Sequence, residues 1–219
     1  MRNVRVWFRK DGACRFISHL DINRVMMRAL QMSGIPLWHT EGYNSRLYLS
    51  FALPLSLGFR GEYESMDIKL LEDDYSFETA IEKINAHLPE GLTVYKITEQ
   101  IMKPSVITYG LFKIKMTAED LPLRQIYMAA QAILNQDAIL VEKKSKKGMK
   151  QIDLKQSIVK YNIVLSGDFV SLEVILPAGN TVNVNPSLIV SVIEEKCGCD
   201  LFADITREEL YNESFEPFK

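Results

Sequence analysis

Residues 16–36 read FISHLDINRVMMRALQMSGIP, and this stretch decides how the first half of the chain folds. Ser18 stands where an N-cap belongs, with Asp21 three residues on in a variant of the capping box, and Ser33-Gly34 followed by Pro36 stops the run. Between those signals Ile22, Val25, Met26, Ala29 and Leu30 recur at helical spacing, which predicts one amphipathic helix with a buried stripe. Before it, VRVWF at 4–8 reads as a strand and KDGA at 10–13 supplies a glycine turn. After it, PLWHT is extended, and LYLSFALPLSLG holds a strand near 47–53 that breaks at Pro54. MDIKLLE reads as a strand, 76–87 as a helix with Phe77, Ile81 and Ile84 inward, and LTVYKITEQ as a further strand. The order β-α-β-β-α-β predicts an antiparallel sheet with two helices on one face, the ferredoxin-like pattern.

A proline joint, MKPSV at 102–106, leads into a second half of much the same order. YGLFKIKM reads as a strand, and a helix over 121–135 carries Leu123, Ile126, Tyr127, Ala130, Ile133 and Leu134 at core spacing. Strands follow around 139–144 and 152–165, then a hairpin to SLEVILP and a helix opening at Asn185-Pro186. The expected class is α+β, two tandem ferredoxin-like halves with antiparallel sheets, divided into 1–103 and 104–219. No residue-level repeat links the halves, so the pairing rests on the pattern of elements. The tract EKKSKKGMK at 142–150 reads as a hairpin tip, and Lys143, Lys144, Lys146 and Lys147 are candidates for gripping phosphate.

The 219 residues are 47% hydrophobic and 25% charged, which is ordinary globular composition. No apolar run reaches the roughly 18–20 residues that cross a bilayer, and the N-terminus lacks the apolar core of a signal peptide, so the expected location is the cytoplasm, away from membranes. Three cysteines, Cys14, Cys197 and Cys199, cannot build a disulfide framework. The Cys-x-Cys pair offers two soft ligands where structural zinc takes four and iron–sulfur clusters take three or four, so no metal site is expected in this chain. Phosphate-binding glycine loops, HExxH and GxSxG are all missing from the sequence. The expectation is a binding module rather than a self-sufficient enzyme.

Charge is unevenly distributed. Residues 1–60 hold nine Arg and Lys against three acids, while the remaining residues hold 17 basic and 25 acidic side chains, so attraction for a polyanion belongs to the first part. Eight of the nine are Arg, the better fork for phosphate and base edges. On the first helix Asp21, Arg24, Arg28 and Gln31 follow three- and four-residue steps and form a polar stripe, which is also how a plain solvated face looks. In the loop EGYNSRL at 41–47, Gly42 and Asn44 suit a turn, Tyr43 offers a stacking surface and Arg46 a cation, a combination suited to single-stranded RNA. His19 opens the first helix, where the dipole favours the neutral ring, and such an imidazole can act as a general base on a 2′-hydroxyl. Ser18 and Asp21 are sufficiently explained as caps.

With FISHLDINR, GIPLWHTEGYNSRLYLSFALPLSLG and EYESMDIKL in view, the chain resembles the DUF2344 family of radical-SAM-linked proteins. The resemblance is strongest over residues 1–100 and continues in KQIDLKQSIVKYN and the NPSLIV helix start. Ser18, His19, Leu20, Asp21 and Arg24 match the family's helix pattern, Gly42, Asn44, Ser50, Phe51 and Ala52 its loop, and Glu64 and Asp67 its acidic pair. Tyr43 stands where the family has Phe, and Ser45 and Leu47 replace two prolines, leaving the loop less pre-organised. The resemblance implies partnership with a radical SAM enzyme that carries the iron–sulfur cluster and S-adenosylmethionine, with no cofactor held by this chain. It implies a noncatalytic, RNA-binding or substrate-presenting accessory in RNA or ribosome modification, with tRNA or rRNA as the nucleic acid. A fold-level similarity to RAMP-type RNA-processing proteins of CRISPR systems implies an alternative, a metal-independent endoribonuclease using His19. A third expectation is a protein-docking subunit using residues 43–58.

Overall fold

A computed structural model describes residues 1–145, 148–179 and 181–219. The chain forms two compact units, one of residues 1–106 with 217–219, the other of residues 107–216. The class is α+β, with antiparallel strand pairing in the main sheet portion of each unit and four α-helices among the described residues.

In the first unit, β1 (Arg2–Lys10), α1 (His19–Met32), β2 (Leu49–Phe51), β3 (Arg60–Leu70), α2 (Phe77–Asn85) and β4 (Leu92–Glu99) follow one another. The strands lie in the order β4-β1-β3-β2. Val4, Val6 and Phe8 of β1 stand opposite Ile68, Met66 and Glu64 of β3 and so share one sheet face. That face carries the apolar core, where the β1 and β3 side chains meet Ile22, Met26 and Leu30 of α1 and Ala80 and Ile84 of α2. The caps of α1 are those its sequence calls for: Ser18 Oγ accepts from Asp21 N, and Gly34 takes φ +65° just past the helix end, a conformation glycine adopts without strain.

The opposite face of the same strands is covered as well, so residues 4–8 are buried without a break and the simple half-buried alternation does not hold. Arg5 and Asp67, directly opposite in register, form a buried bidentate pair at 2.7 and 3.0 Å. Arg5 also donates to the carbonyls of Met102 and Lys219, and its guanidinium lies 4.1 Å from the ring centre of Phe218. The last residues of the chain thus roof this face.

In the second unit, β5 (Tyr109–Thr117), α3 (Leu123–Leu134), β6 (Leu140–Ser145), β7 (Gly148–Asp153), β8 (Lys160–Leu165), β9 (Val170–Pro177), α4 (Ser187–Cys197) and β10 (Phe202–Tyr211) follow in order. The main sheet runs β10-β5-β9-β8, the same arrangement of first, second, third and last strands as in the first unit, while β6 and β7 pair in a separate two-stranded sheet. The hairpin expected over 142–150 corresponds to the antiparallel pairing of β6 and β7, and its tip at 146 and 147 lies outside the described residues. The extended run expected over 152–165 differs, being broken by a turn at Lys155–Ser157. The break follows from Asp153, whose Oδ1 accepts from both Ile139 N and Lys155 N while Leu154 is buried. β10, for which no strand was expected, completes the sheet. Its run ADITREELY is rich in charge, yet Ile205, Arg207 and Leu210 are buried.

Candidate nucleic-acid interface and an adjoining polar cavity

The first turn of α1 holds a tight polar network. Ser18 Oγ donates to Asp21 Oδ2 at 2.6 Å, and Arg24 Nη1 donates to Asp21 Oδ1 at 3.1 Å. The Ser18 hydroxyl, with help from Arg24, holds the Asp21 carboxyl below the usual carboxylate range. One turn further Arg28 is exposed and makes no ion pair among the described residues.

The 41–46 loop is held at its base. Thr40 N donates to Arg46 O at 2.7 Å, Arg46 N donates to Thr40 Oγ1 at 3.1 Å, and His39 pairs with Leu47. Gly42 has φ +122°, which only glycine adopts readily. Between these ties Tyr43, Asn44 and Arg46 all face solvent, Tyr43 completely. The loop therefore presents an aromatic ring and a guanidinium with no packing to hold them back.

Much of the basic excess is engaged elsewhere. Arg2 pairs with Glu99, Arg5 with Asp67, Arg9 with Glu62 and Arg60 with Asp11. Arg24 is held by Asp21, whereas Arg28 and Arg46 are exposed and outside the ion pairs among the described residues. In the second unit the backbones of Lys143 and Lys144 lie on β6, while Lys146 and Lys147 fall outside the described residues.

The motif residues divide between the two faces of the first sheet. Asp67 belongs to the Arg5 pair, and Ser50 stands opposite it on β2 with its side chain exposed. Glu64 lies on the helix-bearing face and meets His19 in a cavity of about 10 Å³, room for about one water. Lys10, Phe8, Ile22, Phe51, Leu53 and Leu55 complete its wall. Lys10 and Glu64 are 1% and 4% exposed, burial that ions of this kind rarely reach without a built environment. A bulge between Phe8 and Lys10 puts Lys10 opposite Gly61, and Lys10 Nζ reaches Ile17 O at 3.4 Å, just ahead of His19. His19 is half-buried, its ring edge-to-face with Phe51 at 4.9 Å.

At about 100° per residue, Arg24 lies roughly 140° and Arg28 roughly 180° around α1 from His19. His19 thus faces the cavity while the two arginines face solvent on the other side, and the helix does not bring His19 and those cations together. Lys10 and Gly61 were missed from the sequence. A lysine closing an apolar strand was the available signal, and it reads equally well as a strand end.

Among the cysteines, Cys14 is buried and donates Sγ–H to Glu90 O, and burial pushes its thiol up. Cys197 and Cys199 line an open cavity of about 340 Å³ in the second unit with Glu119, Asp120 and Asp200, and burial together with the neighbouring Cys199 and Glu194 raises Cys197. No helix among the described residues is long and apolar enough to cross a membrane.

A family profile described as "Uncharacterized protein conserved in bacteria (DUF2344)" matches residues 3–186, and the chain belongs to that family. No curated protein matches it. Among solved structures, a chain in the crystal structure of a Cbf5-Nop10-Gar1 complex is similar over 96% of this chain and 50% of its own length, with 12% identity and a TM-score of 0.53. This chain therefore spans about half of that one, and the likeness is one of fold. An unknown protein from Galdieria sulphuraria aligns over 93% of this chain and 98% of its own, with 12% identity and a TM-score of 0.27.

Proposed function

We propose that this chain is a noncatalytic RNA-binding protein that presents its RNA to a partner enzyme, a radical SAM enzyme by the family resemblance. The observation that carries the reading is the sorting of cations in the first unit: most arginines are engaged by carboxylates, whereas Arg28 and Arg46 stand exposed, the latter on the same loop as the fully exposed Tyr43. Guanidinium groups contact phosphates, and an exposed ring with a neighbouring cation stacks an unpaired base. The Cbf5-Nop10-Gar1 likeness supports only the fold and adds nothing about the ligand. The ribonuclease reading is less favoured, because α1 turns Arg24 and Arg28 away from His19. The test is recovery of RNA crosslinked to the tagged protein in cells, with Arg28→Glu/Arg46→Glu alongside. Enriched RNA that disappears in the variant supports the reading. Equal recovery from both proteins removes these residues from the interface, and no enriched RNA from the parent removes the function.

A further inference from the structure

The two short segments that flank the exposed 41–46 loop carry aromatic side chains onto the sheet face away from the helices. Leu37 pairs with Leu70 of β3 and His39 with Leu47, so the segments form a narrow hairpin laid against the end of β3. Trp38 N donates to Lys69 O at 2.9 Å, and Tyr48 N donates to Trp38 O at 3.2 Å. Leu37 and Leu47 enter the apolar core, and Leu49 packs against it. By alternation Trp38 and Tyr48 stand on the other side. Lys69 joins them there, because its neighbours Ile68 and Leu70 are core residues.

The three side chains touch. The Trp38 and Tyr48 rings meet edge-to-face with centroids 5.9 Å apart, and Lys69 Nζ lies 4.7 Å from the centre of the Trp38 ring. Trp38 therefore braces both neighbours, one by an aromatic contact and the other by a cation–π contact. Tyr48 is 36% exposed and Lys69 partly so, and neither the Tyr48 hydroxyl nor the Lys69 ammonium enters a hydrogen bond or ion pair among the described residues. Asp67, two residues from Lys69 on the same face, is already neutralised by Arg5. Within 37–50 Glu41 is the only acid, against Arg46, so Lys69 leaves this surface with an excess of cations. A single exposed tyrosine is ordinary, but a ring and a cation held side by side by one indole make a fixed surface with open capacity.

We propose that Trp38, Tyr48 and Lys69 form a platform for one unpaired nucleotide of the RNA, its base stacked on the Tyr48 ring and its phosphate against the Lys69 ammonium. The platform rests on the RNA-binding reading and extends it from the loop to the sheet. Arg46 lies two residues before Tyr48 and so falls on the same side of the hairpin, which makes the platform continuous with the loop's cation. Every nucleotide carries a flat face beside a negative charge, the complement of a ring beside an ammonium. A peptide would need an apolar side chain and a carboxylate at this one spacing, which is why a nucleotide is preferred. Because every base has such a face, the platform binds without selecting among bases. Trp38 is a positioning residue that acts through Tyr48 and Lys69.

The test uses the full chain, an unstructured single-stranded RNA of about 12 nucleotides and an abasic ribose-phosphate strand of the same length, with fluorescence anisotropy as the readout. Tyr48→Ala, Tyr48→Phe and Lys69→Gln are compared with the parent after circular dichroism shows each folded. If Tyr48→Ala does not fold, Tyr48→Leu, which keeps an apolar contact with Trp38 and removes the flat ring, takes its place. Tyr48→Ala is expected to lose roughly tenfold in affinity for the base-bearing strand and nothing on the abasic one, while Tyr48→Phe keeps the parent's affinity. Lys69→Gln is expected to weaken both strands and to reduce the slope of log affinity against log salt by roughly 0.7. No loss in Tyr48→Ala, or equal losses on the two strands, overturns the platform while leaving RNA binding standing. An unchanged salt slope in Lys69→Gln removes the phosphate contact and overturns it too. Intact strand binding by both variants with loss of a co-purifying protein assigns the surface to protein docking and likewise overturns it. Absence of strand binding by the parent removes the RNA reading and the platform with it.

Discussion

Arg5 and Lys10 show how differently two basic residues are used five positions apart in one strand. Both carry charge in a strand that reads as alternating, yet Arg5 meets Asp67 on one face and Lys10 lines a cavity on the other. Removing one member of the Arg5–Asp67 pair leaves a buried ion without its counter-charge. Asp67→Asn is expected to destabilise the protein by about 3–5 kcal/mol in urea unfolding. The combined Arg5→Met/Asp67→Leu change, which removes both ions, is expected to cost less than the single one; equal or larger cost would show that the pair's hydrogen bonds to Met102 and Lys219 dominate. Gly61 makes a second case, since a Cβ there would fall 2.5 Å from Glu64 Cγ. Its alanine variant is expected to lose about 1–3 kcal/mol through the clash with Glu64, and much of that loss should vanish in a Glu64→Ala background. An additive double variant would place the strain elsewhere. Neither role could be read from the sequence. The cover over Arg5 comes from Phe218 at the far end of the chain, and the space beside Glu64 depends on a cross-strand register that composition does not encode.

Elements whose signals are local were legible, and those that depend on pairing were less so. α1 has its cap, its buried stripe and its terminating glycine within one short stretch, so the expected and observed helices coincide closely. β10 lacked such a signal, because its strand character comes from hydrogen bonding to β5 and not from an apolar run. The lysine-rich tract was legible as a hairpin: β6 and β7 pair across it from Leu140 opposite Asp153 to Ser145 opposite Gly148, and the tip at 146 and 147 lies outside the described residues. For α1 the capping network leads to two expectations. Ser18→Ala should cost about 1 kcal/mol by removing the side-chain acceptor for Asp21 N. The folded Asp21 carboxyl titrates below its unfolded value, so the stability it contributes is present above the unfolded pKa, about 3.9, and is lost as pH falls through the lower folded value. Since the Ser18 hydroxyl is the main cause, Ser18→Ala should also flatten the acid limb of the stability curve, an effect absent if the cap acts only through the backbone.

At the scale of the whole molecule, a net charge of −2 conceals the exposed cations that matter for a polyanion. Electrostatic binding responds to the local surface within about a Debye length, roughly 8 Å at physiological ionic strength, so acids elsewhere weaken it little. The asymmetry along the chain was legible, but most of the sorting of engaged from available arginines was not, because apart from the local Arg24–Asp21 pair the arginine ion pairs join residues far apart in sequence, such as Arg2 with Glu99 and Arg9 with Glu62. That sorting makes a specific expectation for RNA affinity against salt. Removing one cation that neutralises a phosphate should reduce the steepness of log affinity against log salt by roughly 0.7 for a single strand. Arg28→Glu/Arg46→Glu should therefore weaken binding at low salt and flatten the slope by about 1.4, whereas reversal of Arg9, already paired with Glu62, should change the slope much less. The comparison needs only one RNA and a series of salt concentrations. Equal flattening by all the reversals would mean that unit-wide charge, and not the exposed Arg28 and Arg46, governs the association.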